Sequence, residues 1–467
     1  MNFILRKQEP LLNLFMITGL KELNEPVLKQ ERRRIMNEMN KINERRVAVT
    51  GMGVVSPFGA GKDIYWYNIR EGNSAASLIR SFDVTDLPTK FYARVPMDDT
   101  ELEDMIEDKK SAKTMSRAAK MAMIASEDAV KESGIDTASL DPYRFGTSMG
   151  AAGIGLWDLE YSNRFLELIL NTVTKEKGKD QAFSNVWQNI MENLHPLTPL
   201  KALPNITTAH IAIKNNARGN CQTISTACTS SAQAIGEAYR QIKGGYADVM
   251  ITGGSDSMTN PNGIVAFSLL GVLSKNNAEY LTAAKPFDKR RDGFMIGEGS
   301  AVFILEEYES AKKRGADIYC EIIGYASTND AFRLTDEPPD ARGSIVAMEL
   351  ALDYAGIDRS TVDYINAHGT GTQMNDRNET FAIKSVFGKD AYAIPVSSTK
   401  SMIGHLVAGA GCIELAACIL AMKNQIIPPT INYEVPDEVC DLDYVQNYSR
   451  DAKLNIIQSN SFGFGGQ

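Results

Sequence analysis

The stretch Gln222–Tyr239, QTISTACTSSAQAIGEAY, passes within a few positions from small β-favouring residues to a helical pattern, and Cys228 stands at the change. QTIST reads as a strand, and TSSAQAIGEAYRQI reads as a helix with apolar residues at helical spacing. A strand feeding straight into a helix is the repeating unit of mostly parallel sheets covered by helices. A thiol at that junction feels the positive end of the helix macrodipole, which favours thiolate. The N–H groups of the first helical turn have no intrahelical acceptor and are open to an oxyanion. From this stretch alone, Cys228 reads either as a nucleophile or as a small buried hydrophobe.

Working outward, the same alternation fills the chain from Arg45 onward. Strand-like runs in the first half are RRVAVTGMG, RFGTSMG, QTISTAC, ADVMITGG and SAVFILEEY, with helical segments such as SRAAKMAMIASEDAVKES between them. The second half repeats the theme with IYCEIIGYA, VDYINAHG, YAIPVSSTK and KLNIIQSNSFG. The reading is a duplicated α/β unit: 45–311 carries Cys228, and 316–467 follows a join near Lys312–Ile318. In the first half a glycine loop, GFMIGEG, turns into a last strand. The second half reaches SFGFGGQ with no matching strand, so the expectation is a truncated chain or an open sheet edge. Residues 1–44 mix charge into their apolar part, make a poor signal peptide, and are expected to lie outside the folded core.

Bulk properties narrow the function. With 467 residues, 43% of them hydrophobic and 23% charged, the chain is long enough for a large core. Its net charge of -9 argues against nucleic-acid binding. No apolar run stands out as a membrane span of about 18–20 residues. Six scattered cysteines without a CxxC pair and only four histidines exclude the usual zinc spacings, so no metal is expected. The same cysteine usage points to a reducing, cytoplasmic setting. GMGVVSPFGAGK, Gly51–Lys62, resembles a dinucleotide or phosphate loop, but Ser56 and Asp63 break both patterns. Its glycines are expected to serve a turn after a strand.

Two histidines share the placement of Cys228. His368, in NAHGTGT, and His405, in SSTKSMIGHLVAGAG, follow strand-like runs of the second half, where α/β sheets place their sites. His195 and His210 have no such context and read as structural. A cysteine and two histidines meeting at the seam of a duplicated fold form a candidate catalytic constellation.

The motifs VTGMGVVSPFG, TACTSS, PFDKRRDGFMIGEG, EEYESAKKRGADIY, NAHGTGT, SSTKSMIGHLVAGAG, IPPTINYEVPD and NSFGFGG occur in this order. In them the chain from Arg45 to Gln467 resembles the β-ketoacyl-acyl carrier protein synthases of the standalone elongating type. The resemblance implies a thiolase-like αβαβα five-layered sandwich. It implies a decarboxylative condensation in fatty acid elongation, or the same step in a type II polyketide or polyene pathway. Cys228 would carry the acyl group, while His368 and His405 would assist decarboxylation of a malonyl unit and stabilise the enolate. Lys400 would be the structural and electrostatic lysine, with Glu379 as its partner. The N–H groups of Cys228 and Phe464 would form the oxyanion hole, and Phe464 would gate the site. Thr370 and Thr372 would bind a phosphopantetheine arm, and Gly153 would shape the acyl tunnel.

No cofactor is implied, because substrates arrive on a separate acyl carrier protein. The implied assembly is a homodimer, or a heterodimer with a related subunit. The three site residues argue against a non-catalytic chain-length factor. Asn375 stands where the family usually has glycine, so the loop after His368 is expected to sit differently. Lys90, Arg94 and Lys285 are candidates for docking an acidic carrier.

Overall fold

The computed structural model describes residues 2–6, 45–151, 166–172, 179–193 and 196–467. Among the described residues ten strands build the main path of one sheet: β1 (Asn2–Arg6), β2 (Val47–Ser56), β3 (Phe145–Ala151), β4 (Cys221–Ile224), β5 (Val249–Ser257), β6 (Glu298–Glu307), β7 (Cys320–Ala326), β8 (Tyr364–Asn366), β9 (Val396–Ser397) and β10 (Ile456–Asn460). Their order is β9-β8-β10-β1-β7-β2-β6-β5-β3-β4, and the short piece Gly59–Ala60 pairs with β2. β2 and β7 join the halves antiparallel, with Val49 opposite Cys320.

Each half follows one plan. In the first, β3 runs parallel to β4 and β5, and β6 lies antiparallel between β5 and β2. In the second, β8 runs parallel to β9 and β10, and β1 lies antiparallel between β10 and β7. The N-terminal strand thus occupies the place that the last strand fills in the first half. Residues 2–6 therefore belong to the core, contrary to the expectation for 1–44: Phe3, Ile4 and Leu5 are buried. The signal was NFILR itself, a β-favouring run whose strand character the neighbouring charges obscured. The edge expected to be open beside β10 is covered.

The helices form three layers around this sheet. α1 (Arg117–Ser133) packs outside β2, β5 and β6. α2 (Ser230–Lys243) and α5 (Ala410–Asn424) lie side by side between the half-sheets. α3 (Arg342–Ala355) covers β7 and β1, and α4 (Gln373–Phe387) packs on α3. These are the five layers of the αβαβα sandwich. Because α5 sits in the middle layer, every residue from Ala410 to Met422 is buried, as expected for a helix that is apolar all round. By length and hydropathy Val407–Asn424 would suffice to span a membrane, which the sequence reading overlooked, but 89% of it is buried inside the protein.

Close approach explains Gly51, Gly53 and Gly411. A Cβ on Gly411 would lie 2.5 Å from the Ala232 Cβ, so α2 and α5 meet in nearly backbone contact. Gly51 and Gly53 are not turn residues but lie within β2. A Cβ on either would fall 2.2 or 2.0 Å from a carbonyl oxygen of α1. They let the helix press directly on the strand.

Candidate active site

The strand β4 delivers the chain to a tight elbow, Ala227–Thr229, from which α2 departs. Ala227 takes φ 51° to make that turn, a conformation unusual outside glycine, and Cys228 follows it at the head of the middle layer. The thiol is buried, and burial pushes it up to about 12 against the opposing pull of the Lys400 charge. The helix terminus therefore does not leave a free thiolate, as the sequence reading had expected. The N–H groups of Phe464 and of Cys228 itself converge on the sulfur, which makes them the available donors for an oxyanion.

His368 follows β8, and His405 follows the short helical turn Lys400–Ile403. Their rings meet edge to face with centroids 5.3 Å apart. His405 packs on Phe294 at 4.9 Å, and His368 on Phe462 at 5.8 Å. His405 is tied to the first half through its backbone: its N–H donates to Met295 O (2.7 Å), and its carbonyl accepts from Gly297 N (2.9 Å). Burial, with the Lys400 charge beside them, holds both imidazoles well below the usual histidine range, so both are neutral near pH 7. The Val407 N–H donates to His405 Nδ1 at 3.3 Å, which leaves the ring proton on Nε2.

Lys400 is buried, but its partner is Glu414 on α5, whose Oε1 contacts Lys400 Nζ, rather than Glu379. The carboxylate of Glu379, on α4, accepts the N–H groups of His368 and Gly369, each at 2.8 Å, and Asn460 Nδ2 at 3.1 Å. It supports the histidine loop through the backbone. Glu414 had a signal that was not used: it is the one carboxylate in an otherwise apolar helical run. Asp256, at the end of β5 and also missed, is buried and pushed up to about 7.

A cavity of about 460 Å³ opens onto these groups and is lined by Cys228, His368, His405, Thr370, Thr372 and Phe464 among others. Thr370 and Thr372 share a 2.9 Å hydroxyl contact on its wall. The Thr372 hydroxyl accepts the Asn375 N–H at 3.3 Å, so Asn375 enters α4 as part of its capped first turn. The GFGG loop is stitched to the opposite rim, where Gly465 N donates to Leu334 O (2.7 Å) and Asp330 N to Gly466 O (2.7 Å). Gly153 and His195 lie outside the described residues. His210 stands apart from the cavity, 3.3 Å from the Thr114 hydroxyl. Of the proposed docking cations, Lys285 is buried, Arg94 lies 3.8 Å from Glu298, and Lys90 Nζ donates to Thr85 O. Among the described residues no cluster of side chains suits a metal ion.

A cysteine at a helix head, two neutral imidazoles and paired backbone donors in one cavity fit a condensing enzyme of thiolase-like fold. Residues 44–311 match the family model of the beta-ketoacyl synthase N-terminal domain, and residues 319–434 match that of its C-terminal domain. The chain belongs to the beta-ketoacyl synthase family. It is 39% identical to a putative polyketide beta-ketoacyl synthase 1 of Streptomyces cyaneus, over 90% of this chain and 96% of that protein. It is also 39% identical to a 3-oxoacyl-[acyl-carrier-protein] synthase 2 of Synechocystis sp., over 92% and 97%. Among solved structures, a type II polyketide synthase acyl-carrier protein in complex with its hexaketide-bound ketosynthase, AntDE:AntF, aligns with TM-score 0.77 and 34% identity, covering 90% of this chain and 97% of that one. The ishigamide ketosynthase/chain length factor aligns with TM-score 0.78 and 30% identity over the same shares.

Proposed function

We propose that Cys228 accepts an acyl group from an acyl carrier protein and that His368 and His405 then drive its condensation with malonyl-carrier in fatty acid elongation. The observation that carries this reading is the single cavity shared by Cys228 and the two facing neutral imidazoles. In the first step the Cys228 sulfur attacks the acyl thioester carbonyl, the Phe464 and Cys228 N–H groups hold the oxyanion, and the thiol proton leaves with the carrier thiol. In the second, malonyl-carrier loses CO2, the imidazole N–H groups hold the enolate oxygen, and the carbon attacks the acyl-cysteine carbonyl. The Cys228 thiolate is then released. Thr370 and Thr372 line the path of the pantetheine arm. No cofactor enters these steps, and six free cysteines suit a reducing, cytoplasmic setting.

A second reading is the same reaction in a type II polyketide pathway, in a heterodimer with a chain-length-factor subunit. The likeness to polyketide ketosynthases, two of them solved with a carrier protein or a chain length factor, supports this reading.

Incubation with a panel of acyl-carrier thioesters, followed by intact-mass and peptide mapping, is expected to place one acyl group on Cys228. The preferred chain separates the two pathways, and an adduct mapping elsewhere, or none, would sink both. The lowered histidines add a pH prediction. Neutral imidazoles are required, so malonyl-carrier decarboxylation should show no break at the ordinary histidine value of about 6.5 and should weaken only at lower pH. Initial rates across about pH 5 to 8 test this, and a half-loss centred near pH 6.5 would contradict it.

A further inference from the structure

The duplication places a second elbow opposite the one that carries Cys228. Val407–Gly409 leads into α5 as Ala227–Thr229 leads into α2, and Val407 takes φ 47° where Ala227 takes 51°. Ala408 therefore stands in the second half where the nucleophile stands in the first. A β-branched residue at positive φ is a marked outlier and persists only where its surroundings fix it. At this elbow the fixing group is Asp256, which comes from the end of β5 in the first half. Its Oδ2 accepts the Ala408 N–H at 2.9 Å, and its Oδ1 accepts the N–H of the adjoining Ser257 at 2.8 Å.

The N–H groups of Val407 and Ala408 belong to the two peptide planes that flank the Val407 Cα. Rotations about the φ and ψ of Val407 together form the hinge between those planes. Holding the second plane on a buried carboxylate therefore sets the first, and the first aims its N–H at His405 Nδ1. We infer that Asp256 is a positioning residue: by gripping Ala408 beyond the strained Val407, it holds His405 in the tautomer that keeps a proton on Nε2 for the reacting oxygen. The inference rests on His405 serving as a donor in the condensation, but the tautomer itself can be read without any reaction.

Four histidines in the sequence give a 15N-histidine-labelled full-length sample few ring signals. That of His405 is assigned by its loss in His405→Asn. The native protein should show the Nε2–H form, and Asp256→Ala should show a mixture of tautomers. Malonyl-carrier decarboxylation should then fall about ten- to a hundredfold. Acyl loading of Cys228 should not slow, because a negative charge that disfavours the thiolate has gone. In Asp256→Asn one amide oxygen must serve the two N–H groups of Ala408 and Ser257, so the grip on Ala408 is weakened and a milder mixture follows. A native Nδ1–H form would overturn the assignment. So would an unchanged tautomer in either folded variant, or loss of both half-reactions by the same factor, as general damage to the fold would cause.

Discussion

A chain lacking residues 1–6 is expected to melt about 10 °C or more below the full-length protein, or to fail to fold. β1 is paired on both sides, with Asn2 opposite Asn460 and Ala326, and Arg6 opposite Ile456 and Glu321. Burying Phe3, Ile4 and Leu5 contributes roughly 5–9 kcal/mol at about 1.5–3 kcal/mol per side chain. That is a large share of the about 5–15 kcal/mol by which folded domains are stable. Phe3 also stacks on Tyr325 at 5.5 Å, and Arg6 reaches the buried Glu321 at 3.4 Å. Without the strand, β10 and β7 lose their shared partner and two sheet edges open. The damage should reach the site, because Asn460 in β10 holds Glu379, which holds the His368 backbone. A peptide spanning residues 1–8, added in trans, should restore part of the lost stability by binding the folded form. Calorimetry of the shortened chain decides the matter: a midpoint within about 2 °C of full length would mean that the strand contributes little.

The contrast between what the sequence disclosed and what it concealed has a physical pattern. Cys228, His368 and His405 were legible because each follows a β-run at the point where a helix or glycine turn begins, and local chain direction alone brings such positions to one end of a sheet. The duplicated plan was legible for the same reason. The place of β1 was not, because pairing residues 2–6 with residues 320–326 and 456–460 is a non-local event that no periodicity records. Partner choice among buried charges was equally hidden. Glu379 and Glu414 both lie near Lys400 in sequence, yet only the crossing of α5 over the middle layer puts Glu414 against the amine, while α4 turns Glu379 toward backbone N–H groups. The fate of the thiol was misjudged because a helix terminus acts at short range and is easily outweighed by complete burial.

Replacing Lys400 by methionine is expected to cost about 3–5 kcal/mol of stability, because it strands the Glu414 carboxylate in the middle layer without its cation. The cost should depend on pH in a definite direction. With the lysine present, burial already pushes Glu414 up to about 7, above the usual value of about 4.3. Between those values the folded protein keeps a proton that the unfolded chain has released, so this contribution falls as pH rises through the window. Loss of the cation raises the carboxyl further, and the deficit of the variant should therefore be small near about pH 5 and largest near about pH 8. Activity should fall on the order of a hundredfold. The Lys400 charge favours the Cys228 thiolate and disfavours protonation of both histidines, so both half-reactions depend on it. The double variant Lys400→Met with Glu414→Leu separates the two roles. An apolar pair of similar volume should recover most of the stability, whereas loading and decarboxylation should stay depressed. Wild-type condensation by that double variant would show that the lysine serves the packing of the middle layer alone, and that its charge has no part in the chemistry.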